Sequence, residues 1–239
     1  MSTSHTHRPA LTLDDVRSVS PALASYTQKT ILDDLWKRTE LSPRDRSIVT
    51  ISALIARNQT VGMPYYINLA LDSGVSPGEV SGAITHLAFY SGWSNAFAAV
   101  EIARDIFAER GILFDRLPAA LPDLLPLDEE GESRRAAAVH ASFGDISPGV
   151  VHYTAEILFK NLWLRPDLAP RDRSLVTVSA LVAMGQVAQI TYHLGRAMDN
   201  GLTREHASEA LTQLAFHCGW PCVFSAMPVV KEVFASRRG

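Results

Sequence analysis

Ser42-Pro43-Arg44-Asp45-Arg46-Ser47-Ile48-Val49-Thr50 returns 127 residues later as Ala169-Pro170-Arg171-Asp172-Arg173-Ser174-Leu175-Val176-Thr177. Each version starts as a helix should. Proline at the first helical position loses nothing by lacking an N–H, and Asp45 or Asp172 two residues on meets the free amides and the positive end of the dipole. Ile48, Val49, Ile51, Ser52 and Ile55, matched by Leu175, Val176, Val178, Ser179 and Val182, continue the pattern as a core helix. At the same offset on either side, residues 20–107 align with 147–234 without a gap, and more than a third of the pairs are identical. Leu87-Ala88-Phe89-Tyr90-Ser91-Gly92-Trp93 recurs as Leu214-Ala215-Phe216-His217-Cys218-Gly219-Trp220, and the four tryptophans form two equivalent pairs, Trp36 with Trp163 and Trp93 with Trp220. The chain is two copies of one helical module, and its function is expected where the copies differ.

The other elements follow from local chemistry. Ser20-Pro21 and Ser147-Pro148 offer an N-cap hydroxyl before a helix-starting proline, and Leu23, Tyr26, Ile31, Leu35 and Trp36 are expected to bury one face of that first helix. A third helix should stop at Gly74 and Gly201, since glycine takes the left-handed conformation without a Cβ penalty. Ser76-Pro77-Gly78-Glu79 and Thr203-Arg204-Glu205 then cap a fourth. Gly92 and Gly219 break this fourth helix and admit a fifth, running to about Phe107 and Phe234. No stretch has the alternation of a strand. The expected fold is therefore all-α, with a loose tail over 1–19, a first module over 20–113, a connector over 114–144 and a second module over 145–239. The connector carries the acidic run Asp128-Glu129-Glu130-Gly131-Glu132 and should be exposed, with a short helix over 132–143.

With 239 residues, 47% of them hydrophobic, and a net charge of −3, the chain can bury a large core. It lacks the electrostatic footprint expected for nucleic acid or anionic membrane. The first residues have no apolar signal core, and no stretch reaches the roughly 18 apolar residues of a membrane span. A cytoplasmic protein is expected. Cys218 and Cys222, four residues apart, form no disulfide framework and read as small reduced thiols. His86, His140, His152 and His206 show no metal-ligand spacing, and glycine-rich phosphate loops and nucleophile elbows are absent. Neither a metal nor a cofactor is expected.

Over nearly its whole length, in two copies, the chain resembles the carboxymuconolactone decarboxylase family, which includes the alkylhydroperoxidase D-like proteins. The segments that carry the resemblance are Leu162-Trp163-Leu164-Arg165-Pro166-Asp167-Leu168, Arg171-Asp172-Arg173-Ser174-Leu175-Val176-Thr177, His193 with Ala197-Met198-Asp199-Asn200-Gly201-Leu202-Thr203, and Cys218-Gly219-Trp220-Pro221. The resemblance implies five to six helices per module, two fused modules packed as a pseudo-dimer, and a homo-oligomer of three chains resembling a hexamer. It also implies a small-molecule substrate. The peroxidase branch places redox cysteines where this chain has Gln186 and Gln189, so that thiol chemistry is missing, and copy one has Gln59, Gly62 and Tyr66 there. The decarboxylase branch implies a histidine at His193 and a cysteine at Cys218, with His217 in a tyrosine place. This chain departs from it at Gln186 for an arginine, Gln189 for a glutamate and Pro228 for a second histidine.

The chemistry implied is cofactor-independent acid/base work, decarboxylation or isomerisation, on a small unsaturated lactone or oxo acid in aromatic catabolism or a related pathway. Electron density moves onto a carbonyl oxygen, which calls for a hydrogen-bond donor there and an acid to protonate carbon. His193 suits both tasks because imidazole titrates near neutrality. Gln189 is expected to orient it from one turn away, with His217 and Cys218 nearby, while Gln186, Tyr192, Trp163 and Trp220 contact the substrate. Arg44, Arg46, Arg171 and Arg173 occur in both copies and read as helix-bridging arginines. Two rival readings are a peroxiredoxin-like thiol protein relying on Cys218 and a non-catalytic oligomer.

Overall fold

The computed structural model describes residues 11–237, and the first ten residues of the expected tail lie outside them. Residues Leu13–Val19 are helical (α1), closed by a capping box in which Thr12 and Asp15 satisfy each other's backbone. This part of the tail is therefore ordered. Copy one contains α2 (Pro21–Tyr26), α3 (Pro43–Ala56), α4 (Met63–Asp72), α5 (Pro77–Ser91) and α6 (Trp93–Glu109). After a linker with α7 (Glu129–Phe143), copy two repeats the set as α8 (Pro148–Tyr153), α9 (Pro170–Ala183), α10 (Val187–Asp199), α11 (Arg204–Cys218) and α12 (Trp220–Ser236). No strand occurs among the described residues. The fold is all-α, two tandem modules packed as a pseudo-dimer.

Helices α3 and α9 pack against each other at the centre. Twelve residues of each are buried, so these helices are covered all round, unlike an ordinary surface helix with one apolar stripe. Small residues allow this, and the hydroxyls of Ser47, Thr50 and Ser52 close onto carbonyls four residues back instead of being left unpaired. At the N-termini the repeated motif joins the copies reciprocally. Arg171 forks onto Asp45 at 2.9 and 2.6 Å, and Arg44 reaches Asp172 at 2.7 Å. These two arginines bridge helices, as their presence in both copies suggested.

The glycine stops also hold: Gly74 and Gly201 have φ of 92° and 94°, and Gly92 and Gly219 of 95° and 89°. The first helix of each module differs from expectation. Ser20 and Ser147 precede it without a side-chain capping bond, and the helix widens into π-helical turns over Thr27–Leu32 and Thr154–Phe159. A wider turn changes which residues share a face. Leu35 is buried as expected, but Leu23 and Tyr26 are exposed. The acidic run is exposed at Asp128, Glu129 and Glu130, as expected, but it also starts a helix. Asp128 accepts from the Gly131 amide and opens α7, where carboxylates meet the positive end of the helix, and Glu132 is buried in a forked ion pair with Arg135.

Candidate functional site

Because α5 and α11 each lean against the other copy's central helix, side chains of the two copies mix. The result is two related clusters. In the first, α10 contributes His193 and the turn after α8 contributes Trp163, while α5 of copy one contributes His86 and Tyr90. Trp163 lies nearly parallel to His193 at 5.8 Å, with Tyr90 and Tyr192 edge-on at 5.3 and 5.0 Å. In the second, the same positions hold Tyr66, Trp36, Gln213 and His217. Trp36 stacks on Tyr66 at 6.0 Å, and His217 stands edge-on to it at 5.0 Å.

The three histidines of these clusters are bonded differently. His86 is fully buried and tied at both nitrogens: Nε2 lies 2.7 Å from Thr177 Oγ1, whose own proton goes to the Arg173 carbonyl, and Nδ1 lies 3.3 Å from Arg173 Nη1. The hydroxyl can only accept there and the guanidinium can only donate, so His86 carries its proton on Nε2. Burial, Arg173 and His193 hold its pKa well below the usual range. Gln213 makes the same pair of bonds in the second cluster, its amide nitrogen to Thr50 Oγ1 at 2.9 Å and its oxygen to Arg46 Nη1 at 3.2 Å. It also donates to His217 Nε2 at 3.2 Å, which leaves His217 accepting at that atom. Burial lowers His217 to about 4.

His193 is 7% exposed, and its Nδ1 is buried without a hydrogen-bond partner. Burial first, and Arg196 second, lower its pKa to about 4, so it is neutral at pH 7. Beside it, Tyr90 Oη accepts from Trp163 Nε1 at 2.8 Å, which leaves the phenolic proton for another acceptor. In the second cluster Trp36 Nε1 has no partner.

The charges around the clusters also differ. In the second, Glu209 forks onto Arg38 at 2.7 and 2.8 Å and meets the buried Arg46 at 2.7 Å. Burial works against its charge, but these two guanidinium groups outweigh it and keep Glu209 below the ordinary carboxylate range. Gly82 replaces Glu209 in the first cluster. A Cβ there would lie 2.9 Å from Asp167 Oδ2, because Asp167 has taken the space and pairs with Arg165 at 3.1 Å.

The expected site residues are therefore divided. Tyr192 and Trp163 contact the His193 ring. Gln186 and Gln189 are exposed at the start of α10, and the orienting bond expected from Gln189 to His193 is not made. His217 belongs to the other cluster. Cys218 is buried, donates to the Leu214 carbonyl at 3.0 Å, and has its pKa pushed up to about 12 by burial and by Cys222, with Arg57 opposing. Such a thiol is protonated at neutral pH and is a poor nucleophile. Trp220 is half exposed on α12, edge-on to Phe216. Sequence reasoning missed His86, Tyr90 and Arg196. Its candidates all lie in copy two, although the exchanges of His86 for Gln213 and of Arg196 for Leu69 are differences between copies that could have flagged them.

An all-α pseudo-dimer with a buried, uncommitted histidine between its copies defines a class of helical tandem-module proteins, and sequence comparison specifies which. The chain belongs to the carboxymuconolactone decarboxylase family, whose model matches residues 21–105 and again 148–232. It is 28% identical over 93 residues to the 4-carboxymuconolactone decarboxylase of Acinetobacter baylyi, covering 39% of this chain and 69% of that protein. It is 31% identical over 71 residues to the nitrosuccinic acid decarboxylase of Metarhizium robertsii, covering 30% of this chain and 50% of that one. Among the described residues no helix is long and apolar enough to cross a membrane.

Proposed function

We propose that the chain is a lyase of decarboxylase type, acting without a cofactor on a small unsaturated lactone or oxo acid that carries a carboxylate. The contrast between its histidines carries this reading. His86 has both nitrogens bonded to protein, as a structural histidine should, whereas His193, slightly less enclosed, has an Nδ1 with no protein partner. Both relatives are named as decarboxylases, which supports the reaction class. When carbon dioxide leaves a saturated carbon joined to a carbonyl or to its vinylogue, the electron pair of the broken C–C bond passes through the π system onto the carbonyl oxygen. A neutral imidazole N–H can hydrogen-bond this oxygen inside a low-dielectric cage without itself being cationic. The Tyr90 hydroxyl, held by Trp163, is a second donor. The enolate then takes up a proton at carbon from solvent water and returns to the carbonyl form. Trp163 and Tyr192 wall the substrate, and His217, Cys218 and Trp220 stand outside this chemistry.

The test is proton NMR of 4-carboxymuconolactone with the purified protein. Wild type should decarboxylate it and His193→Ala should not; a His193→Ala variant as active as wild type would remove the assignment. We also propose that three chains assemble into a ring, because Phe89, Trp93 and Phe97 and their repeats Phe216, Trp220 and Phe224 leave matching aromatic surfaces on both copies. Light scattering should give the mass of three chains, and the mass of one would dismiss the ring.

A further inference from the structure

A groove of about 1080 Å³ runs between α10 and the linker helix α7, with Phe159, Trp163 and Tyr192 on one side. Four arginines line it. Arg134, Arg135 and Arg237 each have a carboxylate partner, Glu130, Glu132 and Asp199 respectively. Arg196 has none among the described residues. Its guanidinium lies over the Trp163 ring at 4.4 Å, its Nε is buried without a partner, and its one side-chain hydrogen bond is a 3.4 Å contact from Nη1 to the Tyr192 hydroxyl. The stacking satisfies the face of the guanidinium and leaves its edge, where the N–H donors are, uncommitted.

Arg196 is also the link between groove and cage. It sits one helical turn after His193, is close enough to act on the charge of both His193 and Tyr90, and covers the tryptophan that stacks on His193. At the same place copy one has Leu69, so the second cluster lacks this cation. A neutral His193 cannot hold an anionic substrate by charge. A planar, permanently charged fork in a partly enclosed groove can, and it matches the geometry of a carboxylate.

We infer that the edge of Arg196 binds a carboxylate of the substrate, making the groove between α10 and α7 a site for small unsaturated carboxylates and Arg196 a specificity-determining residue. The inference rests on the reading of His193 as the working histidine only for the chemical step after binding. The carboxylate site itself is tested without turnover.

Calorimetric titration with maleate, with uncharged dimethyl maleate as the control, measures it directly. Wild type should bind maleate and not the diester. Arg196→Leu should weaken maleate by about tenfold or more, the scale of a lost charge-assisted pair. Arg196→Lys, which keeps the charge but not the fork, should fall between. Leucine already occupies this helix position in copy one, and thermal melting of each variant establishes that it is folded. Equal maleate affinity in wild type and Arg196→Leu would overturn the inference, as would no maleate binding by wild type or equal binding of the diester. If Arg196-dependent binding is found but 4-carboxymuconolactone is not decarboxylated, the carboxylate site stands and the proposed reaction falls.

Discussion

The two clusters of this molecule share one arrangement and differ in which polar groups fill it. Around Tyr66, most polar groups are paired with one another, Trp36 Nε1 and Arg46 Nε excepted: Glu209 bridges Arg38 and Arg46, and Gln213 bonds Arg46, Thr50 and His217 together. Around His193, the position of Glu209 is held by Gly82, that of Leu69 by Arg196, and a histidine and an arginine have uncommitted donors or acceptors. Unsatisfied buried groups cost about 1–3 kcal/mol each unless a partner completes them. On the proposed function, the cluster around His193 serves binding and the cluster around Tyr66 serves stability.

The largest stability effect should come from breaking the closed cluster. Glu209→Ala leaves Arg46 buried without its counter-charge and should cost about 3–5 kcal/mol in urea unfolding. A loss under about 1 kcal/mol, the scale of an exposed ion pair, would mean that the ion cluster does not hold the second site together. Next comes pH. The folded pKa of His193, about 4, lies below its unfolded value of 6.5, so between these pH values the unfolded chain binds the extra proton. Stability from this group is complete above pH 6.5 and is lost as pH falls towards 4, by up to about 3 kcal/mol. His217 has the same sign and window. Urea midpoints should therefore drop as the pH is lowered from neutrality into this window, less steeply in His193→Gln; a variant with an unchanged slope would show that His193 does not stay neutral in the folded chain. The smallest effect should be His86→Gln, which copies the Gln213 arrangement of one donor and one acceptor and should change stability by less than about 1 kcal/mol. A larger loss would show that the two clusters are not equivalent at this position.

Much of the fold was legible because the repeat tied each signal to a second instance. The helix starts at Pro43 and Pro170 and the glycine stops at 74, 92, 201 and 219 are local events, set by φ preferences and first-turn amides. The π-helical turns were not legible, since the ordinary helical period gives no warning of a widened turn, and it placed Leu23 and Tyr26 inside. Within the candidate site, His193 and its contacts Trp163 and Tyr192 were found. Tyr90 and His86 were not, because they come from the other copy, and only the packing of α5 against α9 brings them to Trp163 and Thr177. For the same reason His217 and Cys218 were grouped with a histidine they do not accompany. Repeats announce modules, but a site between modules is a property of their packing.

If the division of labour between the clusters is right, chemistry belongs to the one containing His193 and not to the one containing His217. The decisive comparison is decarboxylation of 4-carboxymuconolactone, followed by NMR for His193→Ala and His217→Ala side by side. His193→Ala should lose about a hundredfold or more in rate, as for loss of a positioned acid–base or oxyanion group, while His217→Ala stays within a few-fold of wild type. Loss of turnover in His217→Ala with His193→Ala unaffected would contradict this division and move the active site to the closed cluster.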